Sequence, residues 1–171
     1  MPIISLPGPV EIDECFLGSK IKAGHGRFPS PKVIVFGIKC RTTGLVLLFP
    51  VDDRKKETLL PLIVENVNPG SKIYSDKFSS YVTKFSNSHL NPLGFDHYFV
   101  NHSLTFVDPI NNDIHTNNIE RTWRSLRASI SHTKRSLPHD KILGFLDTFK
   151  FQNYFSKEAL YDVLLQMLMC R

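Results

Sequence analysis

IHTNNIERTW, Ile114 to Trp123, is the stretch from which the rest of the chain can be read. A polar, turn-forming run gives way to a helical pattern: Ile119, Trp123, Leu126 and Ile130 recur at spacings of four, three and four, the buried stripe of an amphipathic helix from about Asn118 to Ser131. Asn117 or Thr116 can cap it. Glu120 falls on the first turns and has two readings. It complements the positive end of the helix dipole, as acids there often do, or it joins two strand-end aspartates, Asp13 and Asp76, in a carboxylate cluster.

Upstream, Val10 to Phe16 alternates as a strand carrying Asp13, with Glu14 directed to the opposite face as a structural or solvated side chain. Lys20 to Arg27 is a glycine-rich basic loop. KVIVFGIKCR and GLVLLFPV form a hairpin around Thr42-Thr43-Gly44. From Lys55 to Val67 the apolar spacing predicts a helix with Pro61 on an early turn, tolerated if the helix starts near Thr58 or else accommodated by an N-terminal kink. SKIYSD reads as a buried strand ending at Asp76, FSSYVTKF as a short helix, and HYFVNHSLTFVDP as a further strand broken near Asn101-His102-Ser103. Beyond the decisive stretch, Pro138 starts a helix with Ile142, Leu143, Phe145, Leu146 and Phe149 mostly inward, and Lys157 to Met169 gives a last one.

The order of three strands, helix, strand, helix, strand, helix implies an α/β domain with a mixed sheet, antiparallel at first and parallel afterwards. A ribonuclease H-like, retroviral-integrase-like fold has this order, with five strands flanked by helices and further helices at the C-terminus. Its first strand is central and its fourth lies alongside, so Asp13 and Asp76 become neighbours and the helix opening at Asn118 carries Glu120 to the same edge. The expected divisions are a tail over 1–9, a catalytic domain over 10–154 and a C-terminal helix over 155–171.

Composition points the same way. With 171 residues there is room for one domain with a sizeable core. A net charge of +5 favours a polyanionic partner, and the positive charge concentrates just after Glu120, in Arg121, Arg124, Arg127, Lys134 and Arg135, with no acid among them. Cys15, Cys40 and Cys170 are odd in number and lack CxxC spacing, which argues against a disulfide framework or a zinc ribbon and for a reducing compartment. Charged residues interrupt both long apolar stretches and MPIISLPGPV lacks a basic n-region, so neither a membrane span nor a signal peptide is expected. The expected location is intracellular: the nucleus in a eukaryote, the cytoplasm in a bacterium.

Three carboxylates in a partly dehydrated cleft repel one another and need protons or divalent cations. Oxygen ligands suit Mg²⁺ or Mn²⁺. Two such ions could activate a water or 3′-hydroxyl on one side of a phosphate and stabilise the leaving oxygen on the other, with Asp13 bridging and Asp76 and Glu120 each holding one.

VEIDECFLG, KIYSDKFSSY and IHTNNIERTWRSLR, in that order, resemble the three signature blocks of DDE transposases of the Merlin type and of bacterial insertion-sequence relatives with an ISXO-like integrase domain. The similarity runs from about Val10 to Tyr154. It implies a catalytic triad of Asp13, Asp76 and Glu120, the metals just named, DNA partners (transposon ends and target), and assembly of at least two subunits on paired ends. It also implies a basic companion seven residues after the glutamate. Here that residue is Arg127, two helical turns on and placed for a phosphate. Since some relatives use asparagine as third ligand, Asn117 and Asn118 are weaker candidates; His115 is another, to orient a carboxylate or bind phosphate, against a loop-capping role.

Arg121, Arg124, Lys134 and Arg135, with Lys20, Lys22 and Arg27 of the glycine-rich loop, are placed to track a DNA backbone, against the plain reading of a solvated face. Trp123 is read as core. Only twelve residues precede Asp13, where family members usually carry a DNA-reading region. The rival expectation is therefore a noncatalytic DNA-binding protein derived from a transposase.

Overall fold

An isolated bridge between Leu6 and Val67 precedes a five-stranded sheet that starts at Val10 in the computed structural model, which describes residues 5–17, 33–100, 113–132 and 139–154. The strands are β1 (Val10–Leu17), β2 (Val33–Cys40), β3 (Val46–Val51), β4 (Lys72–Asp76) and β5 (Asp96–Val100). Their spatial order is β3-β2-β1-β4-β5. β1 pairs antiparallel with β2, and β2 with β3, whereas β4 runs parallel to both β1 and β5. The sheet is mixed and β1 is its centre, as the order of elements predicts.

Among the described residues, three α-helices flank the sheet: α1 (Lys56–Asn66), α2 (Asn117–His132) and α3 (His139–Tyr154). Two cores follow from the alternation of side chains along each strand. Val10, Ile12, Phe36, Ile38 and Ile73 pack with Leu59 and Ile63 of α1 on one face. Cys15, Leu17, Val35 and Leu48 pack with Ile119, Trp123 and Leu126 of α2 and Ile142, Leu146 and Phe149 of α3 on the other. The Thr42-Thr43-Gly44 turn closes the β2–β3 hairpin, with Gly44 at φ +74°, where a Cβ would be strained.

One local expectation needs correction, and one is refined. Helix α1 occupies the expected span, beginning at Lys56, two residues before Thr58, with Pro61 in its second turn. The Asp53 carboxylate fixes this start by accepting from the Lys55 N–H at 3.0 Å and the Thr58 hydroxyl at 2.7 Å. FSSYVTKF is not a helix: one tight turn at Phe78 is followed by a small hairpin in which Val82 bridges Ser88. Two serines and the β-branched Val82 and Thr83 give the segment little helical preference, and fully buried Tyr81 is held inward by its hydroxyl. The helix expected over Lys157–Met169 and the expected continuation of the last strand past Val100 fall outside the described residues.

Candidate active site

Strand β1 offers acids to both faces of the sheet. Glu11 and Asp13 point towards α2, and Glu14 points towards α1. The β1–β4 pairing sets Val10 against Ile73 and Glu11 against Tyr74. Carried forward two residues, that register puts Asp13 level with Asp76, on the same face. Burial raises the Asp13 carboxyl from 3.8 to about 7; the Glu14 N–H opposes this, the negative charges of Asp76 and Glu14 add to it, and the Trp123 indole opposes it again. Two like charges at a partly dehydrated strand end thus define the electrostatics of this edge.

The acid two residues earlier is treated differently. Glu11 is fully buried, yet its carboxylate accepts from Arg41 Nε at 2.8 Å, Asn118 Nδ2 at 2.8 Å, and the Asn118 and Ile119 backbone N–H groups at 2.9 Å each. Those two N–H groups are among the donors that a helix start leaves without intrahelical partners. Glu11 therefore caps α2 from another strand, and its charge complements the helix dipole. Arg41 completes the mount by donating to the backbone oxygens of Asp113 at 2.8 Å and His115 at 2.6 Å while its guanidinium stacks 3.8 Å from the Tyr74 ring centre.

On the α1 face Glu14 is closed off in a third arrangement. Arg54 donates to its Oε2 through Nε at 2.8 Å and through a terminal nitrogen at 2.5 Å, and the Tyr81 hydroxyl donates to Oε1. Arg54 in turn stacks 3.8 Å from the Phe78 ring centre. Glu14 is a structural side chain on the face opposite Asp13, as strand alternation requires.

Glu120 stands on the first turn of α2, half-buried, with its carboxylate accepting from the Thr116 hydroxyl at 3.2 Å. It lies three residues before Trp123, whose indole donates to Asp13. Among the described residues, no three His, Cys, Asp or Glu side chains already converge on one metal position. The pair brought together is Asp13 and Asp76. Their oxygen donors and mutual repulsion fit a hard divalent cation, which relieves the repulsion that protons otherwise relieve.

The remaining candidates divide by location. Arg121 and Arg124 are exposed on α2. Arg127 is also exposed, and its positive charge opposes the upward shift that burial imposes on the Cys15 thiol. Asn118 is drawn into the Glu11 cluster; His115 joins the loop before α2, accepting the Asn117 N–H at Nδ1 over 3.3 Å. Lys20, Lys22, Arg27, Lys134 and Arg135 lie outside the described residues.

Sequence reading overlooked Glu11, Arg41 and the polar role of Trp123. The Glu-x-Asp alternation, which sets two acids on one strand face, was the available signal for Glu11. No local pattern announces that an indole N–H will meet a carboxylate 110 positions away.

Residues 5–153 match the ISXO2-like transposase domain. The chain belongs to that family. An uncharacterized protein in the transposable element ISH50 of Halobacterium salinarum is 24% identical over 180 residues, covering 93% of this chain and 58% of the relative. An uncharacterized transposase-like protein of Haemophilus influenzae is 33% identical over 100 residues, 58% of this chain and 65% of that protein. The transposase domain thus spans about three-fifths of the length of these curated relatives.

Among solved structures, the catalytic core domain of BIV integrase superposes with a TM-score of 0.54 at 13% identity, over 94% of this chain and 95% of that one. A chain of the simian T-cell lymphotropic virus intasome in complex with PP2A regulatory subunit B56 gamma gives 0.51 at 15%, over 87% and 48%. The domain has the ribonuclease H-like fold of retroviral integrase cores. Among the described residues no helix is long and apolar enough to cross a membrane.

Proposed function

We propose that this transposase domain uses Mg²⁺ or Mn²⁺ to hydrolyse a phosphodiester at an element's end and directs the freed 3′-hydroxyl onto target DNA. The observation that supports it most is the Asp13–Asp76 pair, two carboxylates level on adjacent parallel strands, with Asp13 raised to about 7. Asp13 and Asp76 would hold the cation, and Glu120 would join them by turning away from the Thr116 hydroxyl. Bound there, a divalent cation lowers the pKa of a coordinated water or hydroxyl and stabilises the leaving oxygen.

The chain's own residues prepare that edge. Glu11 and Arg41 pin the start of α2, so Glu120 is presented from a fixed helix rather than from a loop. Arg121 and Arg124 face solvent beyond it and would meet DNA phosphates, as would the basic residues on either side of the described segments. Assembly of two or more copies on paired DNA ends belongs to the same reading.

The test is nicking of an end-like duplex by purified protein with Mg²⁺. Asp76→Asn and Glu120→Gln should each reduce nicking to the metal-free background while leaving the circular dichroism spectrum and nonspecific DNA binding near wild type. Unchanged nicking by either variant would refute its assignment. Wild-type protein that binds DNA with a steep salt dependence, yet cuts no end-like substrate, would instead support the noncatalytic reading.

A further inference from the structure

Trp123 is the only tryptophan in the chain, and it is 3% exposed. Its place in the buried stripe of α2 accounts for that burial but not for how the ring is seated. Directly across from Asp13 on β2 stands Gly37. A Cβ at Gly37 would lie 2.5 Å from Cη2 and 2.6 Å from Cζ2 of the indole, and 3.1 Å from Ile119 Cδ1. The ring therefore occupies space that any other residue at position 37 would fill. Seated there, its single donor reaches Asp13 Oδ2 at 2.9 Å.

We propose that Trp123 is a positioning residue for the metal-binding carboxylate: admitted by Gly37, its indole N–H fixes the rotation of Asp13 and so the direction in which the carboxylate is offered to a divalent cation. The inference rests on the function proposed above. A carboxylate that can turn about its last bond must be ordered when it binds an ion, whereas one already held by a donor is ordered beforehand. Hydrogen-bond partners behind metal ligands commonly change metal affinity by roughly ten- to a hundredfold when removed. The same bond ties α2 to β1 one turn beyond Glu120, so the spacing of two proposed ligands depends on it.

A Mn²⁺ titration of the full chain, followed by calorimetry and by Trp123 emission, tests this. Wild-type protein should bind Mn²⁺ with saturable quenching, and Asp13→Asn should lose both signals. Trp123→Phe removes the donor but also part of the ring. Because the tryptophan is unique, biosynthetic replacement by its benzothiophene analogue removes the N–H and keeps the bicyclic shape, which covers the case in which Trp123→Phe fails to fold. The analogue should melt near wild type yet bind Mn²⁺ roughly ten- to a hundredfold more weakly. An analogue that binds as tightly as wild type overturns the positioning role alone. Identical Mn²⁺ uptake by wild type and Asp13→Asn would overturn the metal assignment of Asp13, and the positioning role with it.

Discussion

Glu11 and Asp13 are two acids on one face of one strand, and the protein handles them in opposite ways. Glu11 is fully buried with a guanidinium, two helix N–H groups and a side-chain amide on its carboxylate. Asp13 is less buried, receives one indole N–H from α2, and feels the negative charges of Asp76 and Glu14. The first acid has been spent on holding a helix. The second has been left short of positive partners at the edge where a parallel strand ends, the environment on which the proposed function rests.

The widest separation between the two should appear on truncation. Glu11→Ala leaves Arg41 without its buried partner and α2 without its cap, and is expected to lower stability by about 3–5 kcal/mol, read from denaturant unfolding. A loss below about 1 kcal/mol would mean that water replaces the carboxylate and that the contrast with Asp13 is shallow.

Asp13→Asn should act in the other direction. Because the folded-state pKa is raised from 3.8 to about 7, the folded protein binds more protons than the unfolded chain between those values. Stability in the wild type therefore falls as pH rises through that window and stays low above it. With divalent metal chelated, the variant should lack that slope and gain stability at pH 8, by at most on the order of 4 kcal/mol, with little gain near pH 4. Melting temperatures measured across pH decide it, and a variant less stable than wild type at pH 8 would break the comparison.

The smallest expected effect concerns the third carboxylate. Thr116→Val removes the hydroxyl that Glu120 accepts from and should cost about 1 kcal/mol. If Glu120 turns towards the cation, Mn²⁺ affinity in this variant should be equal to or above wild type. Weaker binding would show that the Thr116 contact belongs to the metal-bound arrangement.

Much of the fold was legible because it is written in local periodicity. The alternation of Val10 to Phe16, the hairpin at Thr42-Thr43-Gly44 and the stripe through Ile119, Trp123 and Leu126 each specify an element, and the order of elements specifies the sheet. What failed was governed by distant partners. FSSYVTKF folds as turns because Tyr81 is drawn to Glu14, a contact that no window around residue 81 contains. Trp123 was correctly read as core from its stripe, but its one polar atom answers to β1. The acids Asp13, Asp76 and Glu120 stood out through spacing and block motifs, whereas Glu11 had only its alternation with Asp13 to mark it.

The fastening of α2 to β1 at two acids also has a mechanical consequence. Glu11 holds the helix at Ile119 and Asp13 holds it at Trp123, two residues apart on the strand and four apart on the helix. Two strand residues advance about 6.7 Å and four helical residues about 6 Å, so the fastenings are nearly commensurate. One bolt would leave a pivot; two suppress both swivelling and sliding. The bearing of Glu120 is thereby set by the sheet rather than by the span of chain leading into the helix. Insertions between Val100 and Asp113 should consequently change that span's length without retiming the helix.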